Sequence, residues 1–375
     1  MAIGIADMKN VLRFPDNWDL EYLRKFNNRE GTKVQFDDLA RDVTAAFTTF
    51  NQGLITPQTS WLASYILTTT DPTVKYDVGG SGDELPPVAE HGRTDPVTGS
   101  ATGHMLPMRD YGGALGWTYW AIRRANKGDL ERNIRTLVAR AQTTWEKRIL
   151  TRMFSKASDT VGGTGKSVPF ADGGSADSSY IPLPYAGKTF NSSHTHFFRE
   201  TADDSGRNSF LSDGAATLWE HGITGPYDLL ISDADVSSWT AMSNSTTKSD
   251  ANFIKPERGV ITMQNIDQRA QIDEQQYIGV LESSRTYFFV RPVNRIPTGY
   301  AGIFRPRGYN SPDNPIAVRY EDGYPLGLTL VAEVNHFPFE ESQATFTFGA
   351  GINNRLAGAL CKFGASGNYS DPTIG

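Results

Sequence analysis

The sequence predicts an α+β chain drawn out into extended pieces, and three observations carry that expectation. Two stretches, Phe36–Phe50 and Asp129–Phe154, repeat apolar residues at the 3.6-residue period of an amphipathic helix. "LTLVAEVNHF" and "ATFTFGAGI" in the last third alternate apolar and polar residues, the period of half-buried strands. The strand-like stretches Val74–Val78 and Leu115–Tyr119 are separated by more than thirty residues rich in Gly, Pro, Thr and Asp. That is longer than compact domains use for internal loops, so the arm has work outside the core of its own chain.

The first helix carries Phe36, Leu39, Ala40, Val43, Ala46, Phe47 and Phe50 on one stripe. Asp37 and Asp38 suit its N-terminus, and Gly53 is a natural cap. "WLASYILTT" from Trp61 suits either a short helix or a strand. After the arm comes the strongest helix, with Leu130, Ile134, Leu137, Val138, Ala141, Trp145, Ile149 and Met153 on one face and Asp129 as N-cap. Its other side is basic, carrying Arg132, Arg135, Arg140 and Arg148. Residues 155–208 read as an extended connection with one short strand near "HTHFF". "DGAATLWEHG" reads as a helix ended by Gly222, and "YDLLISDADVSSW" as a buried strand, Tyr227–Ile231, leading into a helix. "YIGVLESSRTYFFVRPV" reads as two strands about a turn at "ESS". "NNRLAGALCKF" closes the folded part, and "GASGNYSDPTIG" reads as a frayed tail.

Composition narrows the function. A 375-residue chain with 38% hydrophobic and 21% charged residues is globular, and a net charge of -6 argues against a dedicated nucleic-acid binder. Cys361 is the single cysteine, so no intrachain disulfide exists. The first residues lack the regions of a signal peptide, and no apolar run is long enough to span a membrane. The expectation is a soluble protein made in the cytosol.

Candidate catalytic chemistry is sparse. "TVGGTGKSVPF" (Thr160–Phe170) resembles a phosphate-binding loop, but Thr160 stands where its first glycine belongs. A helix precedes it where a strand is needed, and Pro169 follows. His194 and His196 would share one face of a strand, as in some metal sites, and a metal-dependent enzyme built on them is one alternative. No third ligand at suitable spacing accompanies them, so the expectation is no metal and no cofactor. There is no nucleophile elbow, Cys361 sits in an apolar run, and the acidic pairs are adjacent in sequence, which puts their side chains on different faces. No enzyme activity is expected.

A two-stranded hairpin is marginal on its own, so an arm offering Tyr76, Trp117 and Tyr119 calls for a neighbouring molecule to cover it. The order of N-terminal arm, long hairpin, long basic helix, α/β segment and return strands resembles the major capsid proteins of tailed phages, the HK97-like fold. The stretches carrying the resemblance are "SHTHFF", "LWEHGITGPYDLLISDADV", "GYAGIFRPRGYNSPDNPIAVRYEDGYPLGLTLV" and "FTFGAGINNRLAGALCKF". The resemblance implies an N-arm over 1–65, an E-loop over 66–126 and a P-domain spine helix with its connection over 127–209. An A-domain over 210–315 and P-domain return strands with a tail over 316–375 complete it. It further implies self-assembly into pentamers and hexamers of a closed shell, with portal and possible scaffolding or decoration proteins as partners. Packaged double-stranded DNA would be held without sequence preference. The arm starting at once implies a separate scaffolding protein or none. The Lys–Asn cross-link of some members finds no matching position among Lys75, Asn335, Asn353 and Asn354. An encapsulin-type nanocompartment shell shares the fold and is the nearest alternative.

Overall fold

A computed structural model describes residues 36–56, 60–78, 100–118, 127–161, 165–173, 180–242, 252–254, 277–283, 286–336, 339–364 and 367–375. In chain order the elements are α1 (Phe36–Ile55), a 3-10 turn (Trp61–Tyr65), β1 (Ile66–Thr69), β2 (Thr73–Val78), β3 (Ser100–Met105), β4 (Arg109–Thr118) and α2 (Lys127–Phe154). There follow β5 (Asp159–Val161), β6 (Gly165–Ser167), β7 (Phe197–Glu200), α3 (Asp204–Trp219), β8 (Tyr227–Ser232), α4 (Val236–Thr240) and β9 (Asn252–Ile254). The last are β10 (Gly279–Glu282), β11 (Tyr287–Val293), β12 (Tyr300–Phe304), β13 (Ile316–Arg319), β14 (Leu328–His336), β15 (Phe339–Ile352) and β16 (Gly358–Phe363). Helices and strands are mixed and the strand pairing is largely antiparallel, so the fold is α+β, as predicted. The chain divides into two units, one of residues 1–60, 108–146 and 320–349, the other of 61–107, 147–319 and 350–375. Among the described residues no helix is long and apolar enough to cross a membrane.

In the first unit, β14, β15 and β4 form antiparallel pairs, with Leu328 opposite Phe346 and Phe346 opposite Tyr111. The alternation read in "ATFTFGAGI" sorts the faces of β15: Ala344, Phe346 and Phe348 are buried. On the other face Thr345 pairs with Thr329 and Thr347 donates to Asp110. Trp145 of α2 packs on Phe346 and Phe348, and Phe50 of α1 meets Phe346 edge-on at 5.9 Å. α1 runs past Gly53 instead of ending there. An interior glycine costs about 1 kcal/mol relative to alanine. Here it is offset by the burial of Leu54 and by Asn51, whose amide donates to the Leu328 carbonyl and accepts from the Leu328 N–H. α2 is 28 residues long, about 42 Å at 1.5 Å per residue. Ile134, Ala141, Trp145, Ile149 and Met153 of its predicted stripe are buried.

The second unit is built on a seven-stranded sheet in the order β7-β16-β12-β8-β11-β10-β9. β8 is buried at all six positions, with Leu229, Leu230 and Ile231 as its apolar centre, and it pairs in parallel with β11 and antiparallel with β12. β10 and β11 form the hairpin predicted at "ESS". α3 covers one face of the sheet, placing Phe210, Leu211, Ala215 and Leu218 over Leu229, Ile231, Val290, Ile303 and Cys361. α3 begins earlier than "DGAATLWEHG" suggested. Asp203 is its N-cap, accepting from the Gly206 N–H at 2.9 Å, so "DDSG" is the start of the helix. "WLASYILTT" is both things its pattern allowed, a 3-10 turn and then β1, which pairs in parallel with β13.

Three expectations are corrected. The predicted hairpin joined Val74–Val78 to Leu115–Tyr119. Instead β2 pairs with β3, Thr73 opposite Met105 and Val78 opposite Ser100, and β4 pairs with β15. The arm between the strand-like ends therefore holds a strand and a half of its own chain's structure, and only its middle, 79–99, lies outside the described residues. β16, assigned with the return strands, lies inside the seven-stranded sheet between β7 and β12. The tail does not fray. Tyr369 and Ile374 are buried, Tyr369 donates to the Phe154 carbonyl at 2.6 Å, and Asp371 accepts from Ser155 Oγ and from the Lys156 and Ala157 N–H groups. Those contacts satisfy polar groups just past the end of α2, where the helix leaves backbone groups unpaired.

Candidate functional site

The glycine-rich "TVGGTGKSVPF" is not a phosphate cradle: Asp159–Val161 and Gly165–Ser167 pair as the small β5–β6 hairpin. Cys361 is fully buried in β16, and burial pushes its thiol well up, away from the thiolate a nucleophile needs.

The residues proposed for contacts between subunits separate. Tyr76 belongs to its own chain. Its ring meets Tyr180 edge-on at 5.0 Å, and its hydroxyl accepts from Arg355 Nη1 at 3.1 Å. Arg355 is itself buried, with its guanidinium 4.0 Å from the Tyr180 ring centroid and its Nε donating to the Pro169 carbonyl. Trp117 is in β4, opposite Glu340 of β15. Tyr119 lies outside the described residues. Arg132, Arg135, Arg140 and Arg148 are all exposed on α2, as the amphipathic pattern predicted.

A second cluster was not legible in the sequence. Asp228, buried on β8, accepts hydrogen bonds from the phenols of Tyr65 and, at 2.8 Å, Tyr277. The guanidinium of buried Arg291 lies 4.2 Å from the Tyr277 ring centroid and 5.2 Å from that of Trp61. Burial, then the charge of Asp228, pushes Tyr65 well above the usual phenol range, and the same two causes raise Tyr277. Both phenols therefore stay protonated donors. The cluster fastens the 61–65 turn to the central strand; it presents no nucleophile.

The third cluster overturns the ground on which a metal was set aside. His194 and His196 do have a third partner. His221, in the turn after α3, brings its Nε2 to 2.8 Å from His194 Nε2 and 3.3 Å from His196 Nε2, and the first pair are 3.2 Å apart. The spacing of 25 residues and an intervening helix hid it. The signal that existed was a histidine directly before Gly222, whose φ of +74° lets the chain turn back after the helix. Burial is the first cause lowering all three, His221 to about 3, so the imidazoles are neutral near pH 7.

No protein-family model matches the chain, and neither does any curated protein. Solved structures do. A chain of Mycobacterium phage Patience matches over 91% of this chain and 91% of its own, with a TM-score of 0.60 at 16% identity. The capsid of Myoviridae phage XM1 matches over 81% and 91% with a TM-score of 0.42 at 12% identity. The SrpI encapsulin of Synechococcus elongatus matches over 84% and 92% with a TM-score of 0.40 at 8% identity. The fold is the α+β, HK97-like capsid fold.

Proposed function

We propose that this chain is the major capsid protein of a tailed bacteriophage, assembling into the icosahedral shell around a double-stranded DNA genome. The observation that carries the reading is a likeness extending over 91% of this chain and 91% of a phage chain. A likeness of that extent covers most of the fold and not one common motif. Fold alone does not dictate function, but the chain adds two features of its own. Cys361, its single cysteine, is buried in a sheet. The hairpin of β2 and β3 carries a twenty-one-residue insertion, 79–99, rich in Gly, Pro, Asp and Glu, with little to bury.

In this reading, residues 1–65 act as the N-arm and 66–126 as the E-loop, whose segment 79–99 lies over a neighbouring subunit. Residues 127–209 supply the spine and its connection, 210–315 together with β16 the domain at the centre of pentamers and hexamers, and 316–352 the return strands. Repeated head-to-tail contacts close into rings when the rotation between subunits permits, and rings into a shell. Portal, scaffolding and decoration proteins are the further partners, and synthesis is in the bacterial cytoplasm. The exposed Arg132, Arg135, Arg140 and Arg148 offer phosphate contacts without base readout. A chain of net charge -6 suits a container that must release its DNA.

Sedimentation velocity of the expressed full chain tests the reading. Species of the mass of capsomers and shells are expected. A monomer or small oligomer under every assembly condition would contradict it. A closed shell that excludes DNA and holds a protein cargo would replace it with a nanocompartment.

A further inference from the structure

We propose that His194, His196 and His221 form a structural binding site for one divalent transition-metal ion, zinc foremost, each coordinating through Nε2. Three of the chain's six histidines converge here, and their three Nε2 atoms stand 2.8, 3.2 and 3.3 Å apart. Tetrahedral zinc binds imidazole nitrogen at about 2.0–2.1 Å, which sets ligand nitrogens about 3.3 Å apart. A point at that distance from all three nitrogens lies about 1 Å to one side of their plane, as a three-histidine site with a fourth exchangeable ligand requires.

Protons alone do not account for the arrangement. The other ring nitrogen of His196, Nδ1, lies 2.8 Å from the carbonyl oxygen of Gly358. A carbonyl only accepts, so Nδ1 carries the ring's proton and Nε2 presents a lone pair into the cluster. One proton on His194 could be shared with both neighbours. The lone pairs of His196 and His221 would still face each other at 3.3 Å. His221 would then carry its own proton on Nδ1, a buried nitrogen with no hydrogen-bond partner among the described residues. A cation at the centre accepts all three lone pairs at once. The His196 contact to Gly358 is the arrangement that fixes tautomer and ring orientation in metal-binding histidines.

The ligand set narrows the ion. Three imidazoles with no thiolate suit zinc, copper, nickel or iron and do not suit calcium or magnesium, which take oxygen. Glu220, the nearest carboxylate in sequence, is already ion-paired with Lys188. Phe190 flanks the rings of His194 and His221 at 4.8 and 4.4 Å, closing the cluster on one side. The site joins the irregular segment leading into β7 to the turn leaving α3, and through Gly358 to β16. The ion therefore staples the connection onto the sheet of the second unit, in a chain that has no disulfide to do so. The inference does not depend on the capsid reading.

The test uses the full-length protein, stripped with a chelating resin and titrated with Co(II) alone, then with Zn(II). About one Co(II) per chain, giving the intense visible absorption of a four-coordinate ion and displaced by zinc, is expected. Melting temperature should fall on stripping and recover on reloading. His194→Ala, the more exposed of the two residues before β7, and His221→Ala should each reduce retained metal at least about tenfold, while His91→Ala should not. Absence of a four-coordinate spectrum from the wild-type protein would overturn the proposal. So would an adventitious ion only, retained equally by wild type and both variants. The wild-type titration decides the matter even if a variant fails to fold.

Discussion

The indole of Trp145 stacks on the ring of Phe346, centroids 5.9 Å apart and planes 24° from parallel. This pair joins the long helix to the β14–β15–β4 sheet, and Phe348 closes on the same indole at 5.1 Å. Trp145→Ala should destabilise the protein by about 3–5 kcal/mol, the usual cost of emptying a buried aromatic site. The indole N–H has no hydrogen-bond partner among the described residues. Trp145→Phe should therefore cost distinctly less, since it removes an unpaired donor along with some volume. Urea denaturation of the unassembled subunit measures both. Equal losses for the two variants would contradict the packing described, because phenylalanine keeps most of the volume that alanine removes.

The C-terminal residues should prove structural. Deleting 368–375 removes the buried rings and aliphatic contacts of Tyr369 and Ile374 and the three hydrogen bonds accepted by Asp371. A lowered melting temperature and poor soluble yield are expected. Asp371→Asn should be milder than Asp371→Ala, because the amide oxygen still accepts. An unchanged melting curve for the deletion would contradict the packing described.

Cys361 should resist alkylation. Its thiol is enclosed in β16 and raised by burial. Native protein at pH 8 should react with iodoacetamide at a rate at least about a hundredfold below a free thiol, because reaction waits on opening of the central sheet. Full reaction in denaturant is the control, and rapid labelling of native protein would contradict the burial.

The insertion 79–99 should matter to assembly and not to folding. Val78 and Ser100 are directly opposed in the β2–β3 ladder, so a two-residue Asn-Gly turn can replace the insertion without breaking register. The deletion must stop at Ser100, because Leu106, just beyond β3, is fully buried and anchored to Pro72. The shortened subunit should keep its circular dichroism and melting temperature yet stop at small oligomers. Normal shells, or an unfolded subunit, would each contradict the role proposed for the insertion.

The parts legible in the sequence were those where one physical rule acts alone. The stripe on α2, the alternation in β15 and the apolar run Leu229–Ile231 of β8 each state which face is buried, and each is buried so except at Leu137 and Val138 of α2, which are half-buried. What pairs with what was less legible. Val74–Val78 and Leu115–Tyr119 look like mates, but a strand's own alternation does not name its partner. "SATGHM" carries too few apolar residues to advertise β3. The tail misled because Gly, Ser and Asp dominate it, and its order comes from Tyr369, Asp371 and Ile374 finding partners distant in sequence. His221 was hidden for the same reason. A third ligand delivered by the far end of a helix leaves no spacing motif.

Cryo-electron microscopy of the purified full-length protein after assembly tests the central claim most directly. Closed icosahedral particles are predicted, with the seven-stranded sheet grouped at the pentamer and hexamer axes and residues 79–99 in density over an adjacent subunit. Discrete small oligomers with no closed particles under any assembly condition would contradict it.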